Sequence, residues 1–294
     1  YLSVKKSEYN LKMSIMKKKL LERVDLTKQD IVSLLSSDAN TFKGLLKDAD
    51  SLRKKKLGKD NIYQGLITFS NNCERSCFYC GIRKANENIL RFRLNEDQII
   101  QTAIKAAKSG YKHIILESGE DNEFGIDSYI RIAAAVKDKS DISISLSVGE
   151  KQEIEYKKLK ESNIDGYIIK HETSDPMLYR QLHPDLKYAD RIKCLRSLKN
   201  LKFNTGSGIL IGLPGQTLES IANDILLFQS LEIDSIIISP YIPHPSTPLA
   251  RKLKQAGGYF IPALGYFNLE EMIYKVIAIT RLVNEDADIM VNSS

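Results

Sequence analysis

Short apolar runs alternate with amphipathic stretches along most of this chain. Seven runs have strand character: Tyr63 to Phe69, His113 to Leu116, Ile142 to Val148, Tyr167 to Lys170, Ser207 to Ile211, Ser235 to Ser239 and Asp288 to Val291. Between them, apolar residues recur at helical spacing over about Ile126–Lys137, Lys151–Glu161, Ala189–Leu198, Leu218–Leu231 and Asn268–Val283. Asn95-Glu96-Asp97-Gln98 supplies an N-cap and capping box for a further helix, which stops at Gly110. Such alternation predicts a parallel sheet with right-handed crossovers. Before residue 60 the pattern is helical only, over Lys28–Leu35 and Asn40–Leu57, with Gly58 as a C-terminal stop.

The expected fold class is therefore α/β, a TIM-type (β/α) barrel over residues 59–294 behind an N-terminal helical extension over residues 1–58. A chain of 294 residues has room for such a barrel, which typically needs about 250. Eight strands would require one more strand and helix than the pattern offers. The barrel is thus expected to be incomplete at the C-terminus.

Composition changes this picture little. Hydrophobic residues make up 43% and charged residues 27%, as in ordinary globular proteins. No apolar run reaches the roughly 18 residues of a membrane span. Tyr1 to Lys19 is lysine-rich without an apolar core, unlike a secretory signal. A cytoplasmic protein with no membrane partner is expected. The net charge of +6 is spread over 43 basic and 37 acidic residues, and the runs Lys17–Lys19 and Lys54–Lys56 read as solvated helix faces. There is no Trp and no basic stripe interleaved with aromatics, so no nucleic-acid partner is expected.

The cysteines do change it. Three of the four lie within eight residues, as Cys73, Cys77 and Cys80, in a C-x3-C-x2-C loop directly after the first strand. Loops at that end of a barrel strand carry α/β-barrel chemistry. Structural zinc closes with four ligands, commonly in two pairs, and no second pair follows; Cys194 stands alone in a helical stretch. Three thiolates can instead hold three irons of a cubane and leave the fourth open, whereas electron-carrier clusters use four cysteines. A reactive 4Fe-4S cluster is favoured over zinc.

This loop, with its aromatic Tyr79 before the third cysteine, resembles the signature of the radical S-adenosylmethionine (SAM) superfamily. Further motifs stand at successive strand ends: Ser118-Gly119-Glu120-Asp121, Lys170-His171-Glu172-Thr173, Gly212-Leu213-Pro214-Gly215-Gln216-Thr217 and Pro243-His244-Pro245-Ser246-Thr247-Pro248-Leu249. Together they resemble the HydE family of FeFe-hydrogenase maturases, in the branch that also holds biotin synthase and methylornithine synthase. The resemblance runs from about residue 28 to 294.

The resemblance implies a radical SAM fold in which the cluster's open iron binds SAM and reduction cleaves SAM to methionine and a 5′-deoxyadenosyl radical. It implies SAM contacts at Tyr79, Ser118, Gly119, Glu120, Asp121, Ser147, Glu172, Arg191 and Gly212. Arg191 would meet the methionyl carboxylate, Glu172 the cationic side, and Ser118 to Asp121 the amino group and ribose. It further implies a small-molecule or organometallic substrate, an iron-carbonyl-cyanide-cysteine precursor, together with a reductant such as flavodoxin or ferredoxin and other hydrogenase maturases as partners. The alternative in the same branch is an amino-acid mutase like methylornithine synthase; a non-catalytic iron–sulfur scaffold is a third reading. Two residues depart from the maturase pattern: Glu117 where Gln is common and Lys170 where Arg is common. Both bear on the substrate, since Lys cannot copy the planar fork of Arg.

By their own chemistry several of these residues are ordinary. A Glu at a strand end and an Arg on a helix are usually surface groups, and a lone His171 or His244 is usually a structural hydrogen bonder. The Pro214-Gly215 pair suits a turn capped by Thr217. Ser145, Ser147, Thr205 and Ser207, on alternate strand positions, are expected to line a polar cavity, with Ser145, Lys170 and Thr205 as candidate substrate contacts.

Overall fold

In a computed structural model the structure describes residues 26–58, 63–255 and 268–291. The lysine-rich segment Tyr1 to Lys19 lies outside the described residues. Seven strands, β1 (Gly65–Ser70), β2 (His113–Ser118), β3 (Ser143–Ser147), β4 (Gly166–Ile168), β5 (Asn204–Ile211), β6 (Ser235–Pro240) and β7 (Asp288–Val291), pair in sequence order. All neighbours are parallel, and no β7–β1 pairing exists among the described residues. The sheet curls into a half-barrel, the incomplete TIM barrel expected.

Helices follow the strands: α3 (Glu96–Lys108), α4 (Ile126–Lys137), α5 (Glu153–Glu161), α6 (Pro176–Leu182), α7 (Tyr188–Asn200), α8 (Leu218–Ser230), α9 (Pro248–Gln255) and α10 (Leu269–Val283). Two earlier ones, α1 (Lys28–Leu35) and α2 (Ala39–Leu57), pack on α8 and α10. Local chemistry sets these limits. Asn95 accepts from the Gln98 amide at 2.9 Å, and Gln98 returns the bond to the Asn95 amide, which fixes the start of α3. The fully buried Lys275 of α10 donates to the Ser37 carbonyl at 2.7 Å and pairs with Glu271 at 3.0 Å, tying the turn between α1 and α2 to the barrel.

Side-chain alternation divides the sheet. Ile114, Leu116, Ile144, Leu146, Ile209, Ile211, Ile236 and Ile238 face the helices in one buried core. The inner face carries Ile115, Ile168 and Ile237 as a small separate cluster. Above them stand Glu117, Ser147 and Lys170, lining a cavity of about 190 Å³ inside the half-barrel.

This alternation corrects one expectation. Thr205 is in register with Tyr167 and Ser207 with Ile236, residues of the helix-side core. Thr205 Oγ1 donates to the Phe203 carbonyl at 3.2 Å, and Ser207 Oγ to the Ile169 carbonyl at 2.9 Å. The inward positions of β5 are Gly206 and Gly208, so Thr205 does not line the cavity. Ser145 faces inward but is buried, with its hydroxyl 2.8 Å from His113 Nε2, and the cavity wall does not reach it.

Candidate functional site

The cysteine loop is fastened at the C-terminal rim of the sheet from several sides. The Phe78 amide donates to the Leu182 carbonyl at the end of α6 (2.8 Å), and the Leu249 amide at the start of α9 donates to the Phe78 carbonyl (3.1 Å). Asp185 accepts from the Ser76 amide at 2.9 Å. Beneath the loop, a Cβ on Gly119 would come within 2.2 Å of the Asn72 carbonyl oxygen and 2.6 Å of Cys73 Cβ. Only glycine allows that approach. Arg75, inside the loop, donates to Glu120 at 2.7 Å, so the Ser-Gly-Glu-Asp segment both underlies and grips the loop.

Cys73, Cys77 and Cys80 are free and partly buried, and burial pushes all three thiols up from their ordinary value. Such thiols need a metal to be held as thiolates. Among the described residues no three His, Cys, Asp or Glu side chains converge on a single ion. A cubane asks for less convergence, because each cysteine meets a different iron. Three free thiols on one anchored loop fit a 4Fe-4S cluster with one open iron.

Across from the loop stands Glu172, 4% exposed and with φ of +63°. A non-glycine residue held there stores strain, and such residues cluster at functional sites. Its amide donates to the Gly208 carbonyl (2.9 Å) and its carbonyl accepts from Leu210 (3.1 Å), so β5 imposes the geometry. Glu172 Oε1 lies 3.3 Å from the Tyr79 hydroxyl, while Oε2 is buried without a partner among the described residues.

Proton accounting sharpens this. His183 Nδ1 lies 3.0 Å from the Tyr179 carbonyl, which can only accept, so Nδ1 carries the hydrogen. Nε2 is left to accept from the Tyr79 hydroxyl at 3.1 Å. One hydroxyl hydrogen thus serves two acceptors. In hydrogen bonds the Glu172 carboxylate is under-compensated: Lys170 feels its charge without bonding to it, and the unbonded oxygen is suited to a further cation.

Arg191, on α7 and 8% exposed, donates from Nε to Glu150 at 2.6 Å and from Nη1 to the Lys170 carbonyl, with its guanidinium 5.9 Å from the Tyr179 ring centre. Burial would lower its pKa, but Tyr179 and Glu150 outweigh that and the net shift is upward. Its Nη2 has no hydrogen-bond partner among the described residues and is free for an anion. Lys170 also stays cationic, raised first by Glu172 against the opposing effect of burial.

The remaining candidates fall differently. Asp121 is turned to structural use: Arg93 donates to both its oxygens at 2.7 Å and Ser70 to one at 2.5 Å. Burial raises its pKa, but these bonds more than offset that and hold the carboxyl below its ordinary range. Ser118 donates to the Gly119 carbonyl at 2.6 Å. The Gly212 amide is engaged by Gln216 Oε1 at 2.8 Å. Ser147 lies on the barrel cavity wall. A second cavity, of about 890 Å³, opens outside the sheet beside Arg75, Glu120, Asp121 and Glu150; Glu172 and Arg191 do not border it. Sequence reasoning assigned no role to Glu150, His183 or Arg93. Glu150 stands three residues past the end of β3 and His183 caps the end of α6; Arg93 has no such signal.

These features, a half-barrel with a three-cysteine loop at its rim, define a class, and comparison with known proteins agrees. The Radical SAM superfamily model matches residues 67–228, and the chain belongs to that superfamily, in the branch of HydE, methylornithine synthase and biotin synthase. It is an enzyme family whose members bind a 4Fe-4S cluster and SAM. The chain is 37% identical to the [FeFe] hydrogenase maturase subunit HydE of Thermotoga maritima over 270 residues, 92% of this chain and 74% of that protein. It is 26% identical to the 3-methylornithine synthase of Methanosarcina acetivorans, over 90% of this chain and 72% of that one. The crystal structure of methylornithine synthase superposes with a TM-score of 0.81 at 24% identity, covering 93% of this chain and 78% of that one. Among the described residues no helix is long and apolar enough to cross a membrane.

Proposed function

We propose that this chain is a HydE-like maturase, acting in assembly of the diiron subcluster of FeFe-hydrogenase. When bound, the cluster and SAM supply a 5′-deoxyadenosyl radical on reduction. The protein's part is to place SAM between Glu172 and Arg191, to hold the substrate below it, and to keep water from the reacting atoms. Glu172 takes the cationic side of SAM and the open Nη2 of Arg191 takes its carboxylate. Lys170 holds an anionic group of a small or organometallic substrate. An acidic one-electron carrier such as flavodoxin or ferredoxin supplies the electron, and other maturases supply and receive intermediates.

The observation that carries this reading is the under-compensated Glu172, strained at φ +63° across from three free thiols on one loop. Anaerobically reconstituted protein should release 5′-deoxyadenosine from SAM with dithionite, and should restore hydrogenase activity in extracts lacking HydE. No 5′-deoxyadenosine would overturn the radical reading; cleavage without restoration would overturn the maturase role. A methylornithine synthase-like mutase is the second reading. It is favoured by Glu117 and Lys170, which replace the maturase's usual neutral amide and arginine with a titratable pair.

A further inference from the structure

The Tyr79–Glu172–Arg191 rim leaves unexplained the charges deeper in the half-barrel. Glu117 is the last inward position of β2, in register with Thr68 on β1 and Ser147 on β3. It lines the 190 Å³ cavity together with Ser147 and Lys170, over a floor of Ile115, Ile168 and Ile237. Among the described residues the Glu117 carboxylate makes no hydrogen bond and no ion pair within 4.0 Å, and neither does the Lys170 ammonium. Their charges are opposite, they share one cavity, and they do not meet.

That arrangement is unfavourable for an empty protein and favourable for a filled one. Lys170 is drawn first to Glu172 on the rim and less to Glu117, whereas the Glu117 carboxylate, over an apolar floor, has no cation within ion-pair distance among the described residues and gains from one. Two strands separated by one other place their backbones about 10 Å apart, so the two ends can be bridged by a ligand rather than by each other. Gly208, inward on β5, keeps Lys170 in place: a Cβ there would stand 3.0 Å from Lys170 Cγ and 2.6 Å from the Ile237 carbonyl oxygen. The lysine stem lies across the bare glycine. A cavity of this size is smaller than the roughly 300–1,000 Å³ of drug-sized sites and fits a small metabolite. A neutral amide at position 117 would read a donor of any charge. A carboxylate there discriminates for a cation.

We propose that Glu117 is a specificity-determining residue of the barrel cavity, receiving the protonated amine of a small zwitterionic substrate whose carboxylate is held by Lys170. This rests on the reading of the barrel interior as the substrate site, and it adds an amine-reading pole to that site. Thr68 and Ser147, beside Glu117 on the same face, offer hydroxyls to the same amine.

The test is calorimetric binding to the reconstituted, SAM-loaded protein with two matched probe pairs: L-cysteine against 3-mercaptopropanoate, and L-lysine against hexanoate. In each pair the second probe lacks the α-amine. The parent should prefer at least one amine-bearing probe by about tenfold or more, the range of a buried charge contact. Glu117→Gln should bring that preference to within about twofold by weakening the amine-bearing probe alone. Lys170→Met should weaken both members of the pair. Equal binding of both members by the parent, binding of neither pair, or a preference that survives Glu117→Gln would each overturn the proposal. Iron content reports folding of each variant. Release of 5′-deoxyadenosine without any probe is read separately, so failure of the radical chemistry is distinguishable from failure of the amine subsite.

Discussion

Tyr79 and Glu172 meet across the rim with the hydroxyl 3.3 Å from one carboxylate oxygen, and that hydroxyl is also claimed by His183 at 3.1 Å. Burial, with Glu172 next in effect, pushes the Tyr79 pKa well above its ordinary value, so the phenol stays protonated. The Glu172 carboxylate holds a shared bond on one side and, among the described residues, none on the other. It is a group kept ready at the expense of fold stability.

The first prediction follows from that expense. Glu172→Gly relieves a left-handed backbone, a strain of about 1–3 kcal/mol, and removes a buried carboxylate. Cluster-free variant should melt at or above the parent temperature, while SAM binding to the reconstituted variant is lost. A variant that melts lower yet still binds SAM would refute this account of Glu172.

The second concerns Arg191. Its Nε and Nη1 are committed to Glu150 and to the Lys170 carbonyl, which aim the rest of the fork. Losing one partner of a semi-buried charge contact costs about 2–5 kcal/mol, so Arg191→Ala should weaken SAM binding by about tenfold or more. Iron content should be unchanged, and Arg191→Lys should recover only part of the affinity because one ammonium cannot serve both anchors and a ligand. Parent-like affinity in the alanine variant would remove Arg191 from the site.

Much of this was legible in the amino-acid order, for physical reasons. Strands buried on the helix side and helices with capping boxes announce themselves locally, and the seven strands and most helices lie where the pattern put them. The misses are also physical. Helix α6 is only seven residues long, too short for periodicity, although Asp175 as N-cap and Pro176 at its first turn mark it. In β5, buried from Thr205 to Ile211, burial on both faces erases the alternation that would have turned Thr205 outward. The Arg93–Asp121 pair spans 28 residues and depends on how the loop folds back. The cysteine loop needed no tertiary information, because its chemistry lies within eight residues.

The third prediction is a pH dependence. Burial first, then Arg191, pushes the His183 pKa down to about 4, below its ordinary 6.5. The unfolded chain therefore takes up the proton before the folded one does. Stability that is full above pH 6.5 is lost as pH falls toward 4, by about 2 kcal/mol at pH 5. Urea unfolding of the cluster-free protein at pH 7 and pH 5 should show this loss, and His183→Gln should show about 2 kcal/mol less of it. An equal loss in both would assign the acid sensitivity elsewhere.

The fourth rests on the narrowest contact at the site. Gly119 lets the chain after β2 pass directly beneath Asn72 and Cys73; an added methyl would stand 2.2 Å from a backbone oxygen and 2.6 Å from Cys73 Cβ. Neither can yield by rotating a flexible side chain, since one is backbone and the other is the root of a cluster ligand. The loop must lift. Overpacking of this kind costs about 1–3 kcal/mol even where the neighbours can move. Here the cost falls on the loop, because the three heavy atoms nearest an added Cβ all belong to Asn72 and Cys73. Gly119→Ala should thus leave the far-ultraviolet circular dichroism and the melting of the cluster-free protein near the parent's, yet take up markedly less iron and lose the brown charge-transfer absorption. Gly110→Ala is the control, since nothing stands within 4 Å of a Cβ there and its φ of +94° costs only local strain. It should bind iron as the parent does. Full iron uptake by Gly119→Ala would mean that the close approach of β2 to the cysteine loop is not what holds the cluster's ligands in place.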